Sequence, residues 1–278
     1  MERRSMFDIN GEQCIGCKEC IRDCPKKTIY YIKGKGKINN KGCLKCGHCI
    51  AICPVEAVST DTYSMEEVIP YDNRTFSITP DNLLNFIKFR RTMRRFQARK
   101  IEKEVICKII EAGRFTETVG NSQDVSYIVV SEQLNLLKQL SFESLKKKGE
   151  ELLANPSKED PSLNHYASAW IGYYRKYQKD PDGFDPLLNH APTVIFVVCD
   201  HLIDGGLASS NLELMANAMG IGVLFSGFLV EAAKASNKIR DYLKVPKGKH
   251  IVSALVMGYP DAKYYRTVPR AKAEINWL

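Results

Sequence analysis

The chain lacks the marks of several large protein classes. Across its 278 residues no apolar run approaches the roughly 18 residues of a membrane span. The opening stretch from Met1 to Asp8 has no apolar core to serve as a secretion signal, so a cytoplasmic location without membrane attachment is expected. Gly220 and Gly222 are not followed by the third glycine of a dinucleotide fingerprint. Neither paired carboxylates nor a nucleophile–histidine arrangement can be picked out, so no catalytic side chain is named. No nucleic-acid motif accompanies the formal charge of +8.

Cysteine, by contrast, is abundant and ordered. Of ten cysteines, eight form two copies of one pattern, Cys14-x2-Cys17-x2-Cys20-x3-Cys24-Pro25 and Cys43-x2-Cys46-x2-Cys49-x3-Cys53-Pro54. Closely spaced thiolates can wrap a small iron–sulfur cubane, and in such runs the fourth cysteine, beside proline, serves the other cluster. The reading is one [4Fe–4S] cluster on Cys14, Cys17, Cys20 and Cys53, and a second on Cys43, Cys46, Cys49 and Cys24. Structural zinc also uses Cys-x2-Cys pairs, but four ligands per ion leave the third x2-spaced cysteine unexplained. The stretch from Met1 to about Thr60 resembles bacterial-type two-cluster ferredoxins at every ligand position. Two oxidised clusters of net charge about −2 each would offset about half of the positive excess. His48, inside the second run, is open between tuning a cluster and a plain surface role. Cys107 and Cys199 read as small core residues.

The remainder of the chain, 44% hydrophobic overall, is long enough for a second core of about 200 residues. The organisation read here is a ferredoxin domain over 1–62, a linker broken by Pro70 and Pro80 over 63–80, and a larger domain over 81–278. Helical periodicity runs over Asp81–Phe89, Glu102–Arg114, Glu132–Lys148 and Gly206–Met219. The small residues of the last suit an intersubunit core. Short strands are expected at Tyr127–Ser131, Thr193–Asp200 and Ile251–Gly258, the second apolar enough for burial on both faces. Separated strands among many helices make the fold class α+β.

Four segments of the larger domain together resemble the nitroreductase family of FMN-dependent oxidoreductases. They are Arg90-Arg91-Thr92-Met93-Arg94-Arg95-Phe96, the loop Thr118–Gln123, the stretch Met219–Phe228, and Met257-Gly-Tyr-Pro260 with the late basic Val268–Lys272. The resemblance implies an FMN phosphate held by Arg90, Thr92 and Arg94 with Arg91 in support, and by Arg270 and, more weakly, Lys272. It puts Asn121 and then Gln123 on the isoalloxazine edge, and Ser226 and Gly227 near its N5. The family's Pro-Trp after the amide loop is here Asp124-Val125. A homodimer with FMN at the interface is implied as well. Tyr166, Trp170, Tyr173 and Tyr177 share a helix face, which either packs or forms an aromatic lid over the flavin.

The expected function is electron relay between the clusters and FMN, reducing a small electron-poor acceptor such as a nitroaromatic, quinone or activated alkene. The donor is a ferredoxin-type carrier or NAD(P)H. A non-catalytic electron-transfer protein serving redox partners is the alternative of a different class.

Overall fold

The computed structural model describes residues 6–278; residues 1–5, part of the stretch read for a secretion signal, lie outside the described residues. The chain divides into two compact units. One runs to Ile78 and also includes Gly120–Ser122; the other comprises Thr79–Val119 and Gln123–Leu278.

In the first unit the sequence repeat becomes a backbone repeat. Its elements are β1 (Phe7–Ile9), α1 (Glu19–Asp23), β2 (Ile29–Ile32), β3 (Lys35–Ile38), α2 (His48–Ala51) and β4 (Val58–Thr60). β1 pairs with β4 and β2 with β3, both antiparallel. A shift of 29 residues (14 to 43, 24 to 53) relates the two halves. It also relates the register, since Ile9↔Val58 in one pair corresponds to Ile38↔Ile29 in the other. Left-handed backbone recurs at the same offset, at Gly16 and Lys45, Lys18 and Gly47, Lys27 and Glu56. Phe7, Ile9, Ile29, Cys49, Ala57 and Val58 form the core, with Cys14, Cys20, Cys24, Cys43 and Cys53 packed against it. The stretch read as linker carries a short 3-10 turn at Met65–Glu67 and α3 (Asn73–Phe76), whose first turn is capped by the Asp72 carboxylate.

The second unit is a four-stranded antiparallel sheet between helical layers. It comprises α4 (Pro80–Phe89), α5 (Lys103–Arg114), β5 (Ser126–Val130), α6 (Leu134–Ala154), α7 (Ala167–Lys179), β6 (Thr193–Cys199), α8 (Leu202–Ala218), β7 (Gly222–Phe225), α9 (Gly227–Ala235), α10 (Asn237–Tyr242) and β8 (His250–Gly258). The strand order is β5-β6-β8-β7. All seven residues of β6 are buried, because alternate side chains feed two different cores. Val194, Phe196 and Val198 join Leu137, Phe142, Trp170 and Leu229 on one face. Ile195 and Val197 join Ile106, Ile109 and Leu212 on the other. The fold is α+β.

Several elements depart from the periodicity reading. α6 continues six residues past Lys148, and α8 begins four residues before Gly206. β7, α9 and α10 were not anticipated; β7 is too short to show a period within a glycine-punctuated motif. Small residues of α8 serve contacts inside the chain, while Leu202, Ile203 and Leu207 of the same helix are exposed. Gly205, Ala208, Ser209 and Ala216 are buried, and a Cβ on Gly113 of α5 would lie 2.2 Å from Leu212 Cδ1. α4 has no buried residue, and its apolar Leu83, Leu84, Ile87 and Phe89 are all exposed. Among the described residues no helix is long and apolar enough to cross a membrane.

Candidate functional site

In the first unit Cys14, Cys17, Cys20 and Cys53 line one cavity, with Ile9, Val55 and Ala57 behind them. Cys24, Cys43, Cys46 and Cys49 line another. Among the described residues no three His, Cys, Asp or Glu side chains converge closely enough for a single metal ion. Thiols ringing a space suit a cage-shaped cluster better than a tetrahedral zinc. Burial pushes the Cys49 thiol up to about 12, and the neighbouring Cys43 and Cys46 add to the rise. Burial raises Cys20 too, with Cys17, Cys14 and Cys53 as its charged neighbours. Four thiolates so confined need a strongly positive core between them. The chain's own compensation is modest. The Lys45 amide donates to Cys43 Sγ at 3.3 Å and the Ala57 amide to Cys53 Sγ at 3.2 Å. Thr28 Oγ1 lies 3.4 Å from Cys24 Sγ. His48 presents an exposed ring whose Nδ1 meets Asp23 at 3.2 Å.

Asn121 is found in this first unit. Its amide donates to the carbonyls of Leu44 at 3.0 Å and Lys45 at 3.1 Å, inside the second cysteine run. Both amide hydrogens are thereby engaged, so any donor role of this side chain toward a flavin competes with these bonds.

In the second unit three of the four motif segments meet along the sheet. The strip Thr92–Phe96 lies beside β7 and the end of β8. Thr92 bridges Val223, Phe96 bridges Pro260, and the Met93 amide donates to the Val223 carbonyl at 2.9 Å. Extended backbone turns successive side chains to opposite faces. Met93 is accordingly buried while Thr92 and Arg94 are exposed. The approach depends on two glycines. A Cβ on Gly222 would lie 2.7 Å from Met93 Cγ, and one on Gly258 would lie 2.8 Å from Phe96 Cδ1. Val223 stands three residues before Ser226, roughly 10 Å along the chain. Ser226 is buried and its Oγ caps α9 at the Leu229 amide, 3.4 Å away. Gly227 faces open space.

The arginines have separate surroundings. Arg90 Nη1 pairs with Glu213 Oε1 at 2.9 Å. Burial raises the pKa of that carboxyl, against the pull of Arg90. Arg91 Nη1 donates to the Lys88 and Arg90 carbonyls, while its Nε and Nη2 are buried without a hydrogen-bond partner. Arg90 and Arg91 line a cavity of about 420 Å³ with Phe86, Phe89, Asn217 and Lys263. Arg270 and Lys272 lie in the exposed, irregular segment after β8 and make no ion pair among the described residues. Gln123 is exposed, its backbone amide held by Thr118 Oγ1 at 2.9 Å. Glu213 was missed by the motif reading; the available signal was the one carboxylate within the expected helix Gly206–Met219.

Of the aromatic face, Trp170 is core, Tyr173 and Tyr177 pack against that core, and Tyr166, just before α7, is 44% exposed. Trp170 is fully buried, stacks on Tyr166 and meets Phe228 edge-on. Tyr177 stacks on Phe142. A lid needs a face open to substrate, which Trp170 does not have. Cys199 is buried, as its apolar strand suggests. Cys107, expected in the core, is exposed, because it falls between the inward-facing Ile106 and Ile109 of α5.

A family model for nitroreductases matches residues 87–259, and one for a 4Fe-4S dicluster domain matches residues 6–54. The chain belongs to the nitroreductase family. This nitroreductase-family chain is 25% and 24% identical, over 182 residues, to NADPH-dependent oxidoreductases from two strains of Staphylococcus aureus. The match covers 65% of this chain and 65% of each relative's own length. Among solved structures it resembles a Bacteroides fragilis nitroreductase with bound FMN, with TM-score 0.51 at 18% identity over 70% of this chain and 98% of that one. An FMN-dependent nitroreductase from Clostridium difficile gives TM-score 0.52 at 18% identity, over 72% of this chain and all of that one. These likenesses show the shared fold. The chain carries the 4Fe-4S dicluster domain N-terminal to its nitroreductase-family domain.

Proposed function

We propose that the protein is an iron–sulfur flavoprotein, a homodimer of a reducing cytoplasm. It relays electrons between two [4Fe–4S] clusters and FMN and reduces a small, flat, electron-poor organic molecule such as a nitroaromatic, quinone or activated alkene. The observation that carries this reading is the pair of four-cysteine rings in a chain whose larger part is a nitroreductase. Cys14, Cys17, Cys20 and Cys53 would hold one cluster and Cys24, Cys43, Cys46 and Cys49 the other. FMN, when bound, supplies the exchange between one-electron and two-electron chemistry.

For FMN, the outward-facing Thr92 and Arg94 beside β7 suit the phosphate, since a hydroxyl and a guanidinium are ready donors to its oxygens. The Arg91 donors left unsatisfied near the same strip call for a further acceptor. Ser226 Oγ is spent on its cap, so that pair would act toward the ring through the exposed backbone at Gly227. The uncovered apolar side of α4 supports a dimer. A second reading, an NADPH-driven reductase with the clusters as reservoir, is favoured by the NADPH dependence of the Staphylococcus aureus relatives.

Anaerobically reconstituted protein should hold about eight iron and eight sulfide per chain, with one FMN; stoichiometric zinc without sulfide would overturn the cluster assignment. Visible spectra should bleach on addition of reduced ferredoxin. Bleaching by NADPH alone would select the second reading. Arg94→Ala should purify with its iron intact and with FMN content reduced several-fold; normal flavin content would remove Arg94 from the phosphate site.

A further inference from the structure

The hairpin of β2 and β3 folds its tip onto the first cysteine loop. A Cβ on Gly16 would stand 2.4 Å from the Gly34 carbonyl, so only glycine allows this contact. Lys35 Nζ donates to the Cys14 carbonyl, and the Lys18 ammonium sits 4.4 Å over the Tyr31 ring. Around this junction Ile15, Tyr31 and Ile32 are exposed at 64%, 45% and 47%. Cys17, of all eight cysteines in the two rings, is the exposed one. Lys18, its neighbour in sequence, and Lys33, next to the Gly34 tip that meets Gly16, are exposed as well. Glu19, which lines the same cavity, is paired with Arg22. A small apolar patch rimmed by ammonium groups is the anatomy of a transient interface with an acidic protein.

The backbone adds a second observation. Lys18 has φ 65°, in the left-handed region, and its counterpart one repeat later is Gly47 at φ 78°. A side chain there costs conformational energy that glycine avoids. The reverse exchange occurs at Lys45 (φ 56°) against Gly16; what sets Lys18 apart is its place next to the exposed Cys17.

We propose that this face is the docking surface of a small acidic ferredoxin-type carrier, with the ring of Cys14, Cys17, Cys20 and Cys53 as the entry port. The inference rests on the reading that a protein carrier feeds the clusters. With a [4Fe–4S] cluster held by Cys14, Cys17, Cys20 and Cys53, one electron would leave the reduced carrier cluster (1+ to 2+) and be taken up there (2+ to 1+). No bond or proton changes place.

The test compares the full-length holoprotein with Lys18→Gly and with Lys18→Gly/Lys33→Glu, using a purified acidic two-cluster ferredoxin. Calorimetry should give a Kd for oxidised ferredoxin that weakens with added salt in the wild type. It should rise at least about tenfold in the double variant, as loss of charge complementarity dictates. Lys18→Gly should retain full iron content and a thermal stability no lower than the wild type's, and dithionite should bleach all three proteins equally. An unchanged Kd in the double variant overturns the docking surface, as does a change in oligomeric state, which would assign the face to a second copy of the chain. If the wild type itself neither binds ferredoxin nor is bleached by its reduced form, the carrier reading falls and the surface with it.

Discussion

Gly222 and Gly258 show how single positions set the site. Each lies where a methyl group would collide with the strip that carries Thr92 and Arg94. Gly258→Ala should cost about 1–3 kcal/mol, the usual penalty for overpacking, and should lower FMN content by displacing that strip. Gly206→Ala is the counterpart: it lies within α8 with nothing within 4 Å of a new Cβ, and should gain about 0.5–1 kcal/mol from helix propensity. Thermal melts of the two variants should move in opposite directions. The motif reading recognised both strip-side glycines as parts of motifs; their purpose became visible only when the facing side chains Met93 and Phe96 were in place. Asn121 shows the converse, since nothing in a polar loop sequence indicates that its amide will be engaged by Leu44 and Lys45.

Among the elements, α7 was the most ambiguous in sequence. A face of Tyr166, Trp170, Tyr173 and Tyr177 fits a lid and a core helix equally well, because periodicity reports which residues share a side and not what covers it. Packing against Phe142, Phe184 and Phe228 decides for the core. Trp170→Ala should therefore destabilise the protein by about 3–5 kcal/mol, read as a large fall in Tm. A variant of wild-type stability with altered KM would restore the lid. The strands were more legible: β6 is continuous, apolar and β-branched, and burial on both faces follows from the helical layers on either side of the sheet.

For the molecule as a whole, the eight cysteines make the sharpest prediction. Cys53→Ser should abolish the cluster on Cys14, Cys17 and Cys20 and leave its sister, and Cys24→Ser should do the reverse. Each variant should retain about four iron, and electron paramagnetic resonance of the reduced protein should show a single remaining, uncoupled cluster signal. Loss of the cluster within the mutated run itself would overturn the crosswise assignment.

The sequence by itself determined the two-part character of the chain, the doubled cysteine pattern and the α+β class, because ligand spacing and apolar periodicity are local properties of a chain. It also carried the arginine, glycine and closing-strand motifs that mark the nitroreductase family. Tertiary structure alone decided that Arg90 meets Glu213, that Asn121 is engaged by Leu44 and Lys45, and that the Gly34 turn lies against Gly16. Those facts depend on side chains far apart in sequence arriving at one place. Burial, pairing and charge at such places are set by the fold and not by neighbouring residues.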